Sequence, residues 1–175
     1  MGKNKLEKLY HKPGSETSTV APLVLEYCKG RGVDIGCGFI EKITDETIGV
    51  DIIDLGNLPG VNYGNHDLKD GLPMFSNCEL DFVYASHVLE DLVDPLLHLI
   101  EWARVLKPGG FMIIVLPHGD VYAKAGTPEA NPSHLQDWWP ETLYEYTDQL
   151  DLELVDSYTP EDCMWHSFVA VFKKG

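Results

Sequence analysis

The chain has 175 residues and is 44% apolar, which is enough for one core and calls for no second domain. A net charge of −15 sets up a field that repels phosphate backbones and anionic bilayers, so neither nucleic acid nor a membrane surface is expected as a partner. The apolar runs are too short to span a bilayer and the start, Met1 to Glu7, lacks the apolar core of a signal peptide, so a cytoplasmic location is expected.

Residues 1–16 keep no sustained period and are expected to form an arm ahead of a single domain over 17–175. Val20, Leu23, Val24 and Tyr27 follow helical spacing, which predicts a helix from a Ser18 cap to Lys29, with Pro22 in the tolerant first turn and Gly30 as the stop. Arg31 to Ile35 reads as a short buried strand ending in the turn Gly36-Cys37-Gly38. Only about nine residues separate that turn from a second strand, Ile48 to Ile53, too few for an ordinary parallel crossover with its helix. The first crossover is therefore expected to be clipped.

A weak third strand, Val61 to Tyr63, precedes the polar run Asn65-His66-Asp67-Leu68, and Leu80 to Ala85 forms a strong fourth strand that opens into a helical turn over Ser86 to Asp91. Asp94-Pro95 predicts a helix start, and Leu96, Leu99, Ile100, Ala103 and Leu106 hold a 3.6-residue period up to Lys107. Phe111 to Leu116 is an unbroken apolar run, as expected of a central strand covered on both faces. A loop over Pro117 to Trp139 follows, then a helix from Pro140 carrying Leu143, Tyr146 and Leu150, then strands at Leu152–Asp156 and Phe168–Phe172 with no room for a helix between them. The alternation predicts a doubly wound α/β fold, a mostly parallel seven-stranded sheet whose last strand is antiparallel.

Open parallel sheets bind ligands at the carboxyl ends of their strands. That edge receives Asp34 and Gly36 to Gly38, then Asp51, Asp67, Ser86 with His87, and His118. Asp51, ending the second strand and facing the glycine turn, is placed to accept both hydroxyls of a ribose, and Asp67 with Leu68 offers an acceptor beside an apolar surface, which suits an adenine. As isolated residues they read equally well as a surface acid at a strand end and a turn-forming aspartate. The four cysteines, Cys28, Cys37, Cys78 and Cys163, have no metal-ligand or redox spacing, and the set His118, Asp120 and His134 matches no rigid metal motif, so no metal is expected.

Val33-Asp34-Ile35-Gly36-Cys37-Gly38, the acid of Gly49-Val50-Asp51, His66-Asp67-Leu68, Leu80 to Glu90 and Arg104-Val-Leu-Lys-Pro-Gly-Gly110 resemble, in order, the motifs of class I S-adenosylmethionine-dependent methyltransferases, most closely the small-molecule branch. The resemblance covers about residues 31–116. It implies S-adenosylmethionine as cofactor and S-adenosylhomocysteine as product. It also implies that Gly36, Cys37 and Gly38 pass the methionine part while Asp34 supports that loop. Asp51 and the following Ile52 would hold the ribose, Asp67 and Leu68 the adenine, and Ser86 and His87 would lie near the sulfonium. Tyr10 and His11 would fold over the cofactor as a cap. Two positions depart from the family pattern: Phe39-Ile40 where a small residue often follows Gly-x-Gly, and Glu90-Asp91 where many relatives have Glu-His.

Methyl transfer is an in-line displacement, so positioning supplies much of the rate and a base is needed when the acceptor must lose a proton. His87, His118 and His134 are the candidate bases. Tyr122, Trp138 and Trp139 are candidate walls for an organic acceptor, although at least one tryptophan is expected to pack the following helix onto the sheet. These features point to methylation of a small organic or saccharide-type acceptor at oxygen. The alternative is a catalytically silent S-adenosylmethionine-binding partner protein, and a nicotinamide enzyme is disfavoured by the missing Gly-x-Gly-x-x-Gly. No oligomer is indicated.

Overall fold

The computed structural model describes residues 16–39, 41–56, 58–162 and 166–175. The expected arm, with Tyr10 and His11, lies outside these residues except for Glu16, which is the first residue of helix α1 (Glu16–Val24). Strands β1 (Gly32–Ile35), β2 (Ile48–Val50), β3 (Asn62–Tyr63) and β4 (Leu80–Ser86) follow. Helix α2 (Pro95–Val105), strand β5 (Leu106–Pro117), helix α3 (Pro140–Thr147) and strands β6 (Leu152–Tyr158) and β7 (Ser167–Lys174) complete the chain. They make one seven-stranded sheet in the order β3-β2-β1-β4-β5-β7-β6, in which β7 alone runs antiparallel to its neighbours.

Side chains alternate across the sheet, as strand geometry requires. Val83, Ala85, Met112 and Ile114 face α2 and α3 in a core completed by Leu99, Trp102, Val105 and Leu143. Phe82, Tyr84, Ile113 and Val115 face the opposite way, toward Val20 and Val24 of α1. The apolar run of β5 is thus explained by burial on both faces.

The crossover from β1 to β2 contains no helix among its described residues. Polar side chains take the helix's place. The Asp34 carboxylate accepts from the Ile43 backbone N–H at 2.6 Å. The buried Lys42 ammonium donates to the carbonyls of Thr47 (2.5 Å) and Pro59 (2.6 Å) and to Asn62 Oδ1 (3.1 Å).

Several boundaries differ from the sequence expectation for local reasons. Helix α1 spans Glu16–Val24, so Pro22 falls in its interior rather than in its first turn, and the chain closes through 25–27 as turns instead of continuing to Lys29. Asp94 makes no side-chain cap on α2. Strand β5 begins at Leu106, inside the expected helix, because Leu106 pairs with Leu80 before Lys107 to Gly110 bulge out and pairing resumes at Phe111 with Phe82.

Candidate active site

The strand order reverses at β1 and β4, and the cavity that matters opens at their carboxyl ends. It measures about 360 Å³ and is lined by Gly36, Asp51, Ile52, Asp67, Leu68, His87, Val88, Asp91 and Leu92. Its apolar wall, Leu68, Val88 and Leu92, faces acids at Asp51, Asp67 and Asp91, a combination suited to a cationic ligand with an aromatic ring and hydroxyls.

The glycine turn is shaped for close approach. Gly36 has φ of +67°, and a Cβ there would stand 2.2 Å from Val88 Cγ2, whereas a Cβ on Gly38, at φ +64°, would meet nothing within 4 Å. Gly36 is therefore demanded by packing and backbone together, and Gly38 by backbone alone. Asp51 ties this turn to β2: Oδ2 accepts from Gly38 N at 2.8 Å and Oδ1 from Ile53 N at 3.1 Å. A carboxylate has about four lone-pair sites, so both oxygens keep acceptor capacity toward the cavity. Asp67 caps the short turn Leu68–Asp70 by accepting from Lys69 N at 3.0 Å and pairs with Lys69 Nζ at 2.6 Å, so it is a turn-former and a cavity residue at once.

Asp34, Cys37, Gly38 and Ser86 are not among the residues lining the cavity. Asp34 is buried and acts on the crossover through Ile43; burial raises its carboxyl to about 7. Burial likewise pushes the Cys37 thiol up to about 12, which leaves it a protonated packing group rather than a nucleophile.

His87 follows β4 with φ of +54°, a left-handed conformation held by its N–H to Val115 O at 3.0 Å. Its ring joins a buried polar cluster. Nε2 lies 2.9 Å from Glu16 Oε2 and 2.9 Å from Ser167 Oγ, and Nδ1 lies 3.3 Å from Glu90 Oε1. Burial lowers the His87 pKa, but the carboxylates of Glu16 and Glu90 outweigh it and raise the imidazole to about 9. Burial also pushes Glu16 up, and its hydrogen bonds with His166 and His87 overcome that and hold it at about 2. With the cluster closed in this way, His87 carries a proton near neutrality and is no free base. Turnover through it requires the cluster to hand that proton elsewhere.

His134 Nε2 lies 3.6 Å from the same Glu90 oxygen, so two of the three candidate bases meet at one fully buried carboxylate. His118 stands apart: its ring packs edge-on to Phe168 at 5.9 Å and its Nδ1 accepts from Asp120 N. Tyr122 lies between His134 and His166, 5.1 and 5.4 Å from their rings. Trp138 is buried against Tyr146 and belongs to the core, while Trp139 is half-buried, donates to Asp120 Oδ1 at 2.9 Å and lies 4.3 Å below Lys124 Nζ. Tyr122 and Trp139 remain as candidate walls for an acceptor.

A family model described as a methyltransferase domain matches residues 13–114. The chain belongs to this methyltransferase family. No curated protein sequence matches it. Among solved structures, it is similar to a SAM-dependent methyltransferase from Archaeoglobus fulgidus, with 21% identity, 98% of each chain covered and a TM-score of 0.66. It is similar to an S-adenosylmethionine-dependent methyltransferase from Mesorhizobium loti, with 14% identity, 92% of this chain and 99% of that one covered and a TM-score of 0.68. It is also similar to the Burkholderia thailandensis 1,6-didemethyltoxoflavin-N1-methyltransferase, crystallised with S-adenosylhomocysteine, with 13% identity, 98% of this chain and 83% of that one covered and a TM-score of 0.68.

Three contributors to this methyltransferase's polar cluster escape a strand-by-strand reading. Glu16 precedes the first strand, and His166 and Ser167 sit at the start of β7, which among the described strands begins where the others end. Antiparallel pairing of Ser167 with Pro117 is what brings them to the carboxyl edge. The signal in sequence was the missing helix before the last strand. Among the described residues no helix is long and apolar enough to cross a membrane.

Proposed function

We propose that this methyltransferase moves the methyl group of S-adenosylmethionine to a small organic or saccharide-type acceptor at oxygen. The observation that carries the reading is a cavity at the β1/β4 switch point that gathers Gly36, Asp51, Ile52, Asp67, Leu68 and His87. When bound, the cofactor supplies an electrophilic methyl on a sulfonium and leaves as S-adenosylhomocysteine. The residues fit it: Gly36 packs its backbone against Val88 of the cavity wall, Asp51 would hold the ribose hydroxyls, and Leu68 with Leu92 would cover the adenine. Asp67 and Asp91 give the cavity the negative character a cationic ligand needs. Beside His87 stand Glu90, whose Oε1 lies 3.3 Å from His87 Nδ1, and His134, whose Nε2 lies 3.6 Å from that same oxygen.

The acceptor atom is the open part of the reading, since the Burkholderia neighbour is named for methylation at nitrogen. Incubation of the full chain with S-adenosylmethionine and separate panels of hydroxylated compounds, saccharides and amines tests it. Release of S-adenosylhomocysteine with an O-methyl product supports the reading. Turnover confined to amines removes the oxygen assignment, and binding without turnover on any panel favours the silent partner protein.

A further inference from the structure

Among the described residues, Glu16, His87 and His166 bring one carboxylate and two imidazole donors within 4.8 Å of one another. Glu16 reaches His166 Nε2 with Oε1 at 2.7 Å and His87 Nε2 with Oε2 at 2.9 Å, so both rings direct the same nitrogen into one space. The rings stand nearly perpendicular, at 78°, with centroids 5.7 Å apart. We propose that these three residues form a binding site for one divalent transition-metal ion of the zinc or iron(II) class.

Two imidazoles and one carboxylate are the donor set of metal sites that keep a coordination position open. Around a tetrahedral ion with bonds of 2.0–2.1 Å, donor atoms lie about 3.3 Å apart. The two imidazole nitrogens lie within 4.8 Å of each other, Ser167 Oγ at 2.9 Å from His87 Nε2 must yield that nitrogen, and Glu16, at 2.7 and 2.9 Å, must withdraw by about half an ångström. It is the donor able to do so, being a long side chain with 33% of its surface exposed, whereas the side chains of His87 and His166 are 15% and 9% exposed. Both histidines are also fixed through their backbones. His87 N donates to Val115 O at 3.0 Å, and His166 O accepts from His118 N at 2.7 Å.

A second, independent observation points to the same ion. Glu90 is fully buried, neither of its carboxylate oxygens has a hydrogen-bond partner, and Oε1 lies 3.3 Å from His87 Nδ1. Metal-bound histidines characteristically direct their second nitrogen at a carboxylate, which fixes the tautomer and strengthens the ligand. A dication on the far nitrogen would align His87 Nδ1–H with Glu90 and give that carboxylate the donor it lacks. Charge agrees as well: two positive charges on the ion would be matched by Glu16 and Glu90. Three protein ligands leave a fourth position for water or an oxygen-bearing ligand, and His87 places it beside the cavity wall. The proposal does not depend on the acceptor class named above.

The test uses the full chain stripped with a chelator and titrated with Zn²⁺ alone by calorimetry, with metal content measured after gel filtration and Co²⁺ absorption as a report on geometry. The expected result is one ion per chain with intense visible Co²⁺ bands of a tetrahedral site. Glu16→Gln and His166→Ala should each weaken Zn²⁺ binding by about tenfold or more, and Glu90→Gln by about 10–100-fold. His98→Ala, on the outer face of α2, should bind like the parent. Circular dichroism and urea unfolding of each metal-free variant report whether it is folded, and if His166→Ala proves unfolded, Glu90→Gln and the parent's Co²⁺ spectrum decide the matter. Absence of saturable binding in the parent, or equal Zn²⁺ affinity in the folded His166→Ala variant, overturns the site. Loss of the cofactor reading would show separately, as Zn²⁺ binding intact with no heat from S-adenosylhomocysteine.

Discussion

His87 Nε2 lies 2.9 Å from Glu16 Oε2, which ties the first turn of α1 to the residue that ends β4. The contact does structural as well as chemical work, because α1 covers one face of the sheet and Glu16 joins its first turn to both His87 and His166. In metal-free protein, Glu16→Gln should lower stability by about 1–3 kcal/mol, the range for losing charged hydrogen bonds at a partly buried site. Urea unfolding measures the loss. A variant as stable as the parent would mean that α1 is held by Val20 and Val24 alone.

The crossover without a helix depends on Lys42. Its ammonium is buried and meets Thr47 O, Pro59 O and Asn62 Oδ1, so Lys42→Met strips donors from partly buried acceptors. Destabilisation of about 2–3 kcal/mol is expected. The urea midpoint should fall with an unchanged slope.

Asp34 gives stability a pH dependence of defined sign. Its carboxyl titrates at about 7 when folded, above its ordinary value of 3.8, so the folded chain binds the proton more tightly than the unfolded chain does. Its contribution to stability therefore declines as pH rises from about 4 to about 7 and levels off above. Asp34→Asn keeps an acceptor for Ile43 N and removes the charge. The variant should lose that part of the slope, read from thermal unfolding across pH 4–8, and should gain on the parent most at the alkaline end. A parent and variant with parallel profiles would contradict the assignment.

The adjacent tryptophans should separate cleanly. Trp138 is 1% exposed in the core, and Trp138→Ala should cost about 3–5 kcal/mol. Trp139 is half-buried and bonded to Asp120, so Trp139→Ala should cost about 1 kcal/mol while changing KM for the acceptor more than affinity for S-adenosylhomocysteine. Equal stability losses would deny the division between core and wall.

Gly36 links fold and ligand. Gly36→Ala places a Cβ 2.2 Å from Val88 Cγ2 on a backbone at φ +67°, and Val88 lines the cavity. Stability should fall by about 1–3 kcal/mol and S-adenosylhomocysteine affinity by about tenfold or more. Calorimetry of the folded fraction checks both.

Much of this organisation was legible in the chain because it follows from periodicity and punctuation. The apolar run of β5 announced a strand covered twice, the short gap after Gly38 announced a crossover without its helix, and the strand ends announced Gly36, Asp51, Asp67 and His87 on one edge. The polar cluster was not legible. Its members come from α1, β4 and β7, elements distant in sequence, and nothing in the local pattern at Glu16 or His166 marks a partner. A helix boundary failed where one early strand pairing decided it, as at Leu106.

The central claim is that the cavity at the β1/β4 switch point binds S-adenosylmethionine through Asp51. Calorimetric titration of the full chain with S-adenosylmethionine and S-adenosylhomocysteine, repeated for Asp51→Ala, tests it most directly. Saturable binding of both ligands, weakened by about 1–3 kcal/mol in the variant, is predicted. No heat from either ligand with a folded sample, or equal affinity in the folded variant, would contradict it.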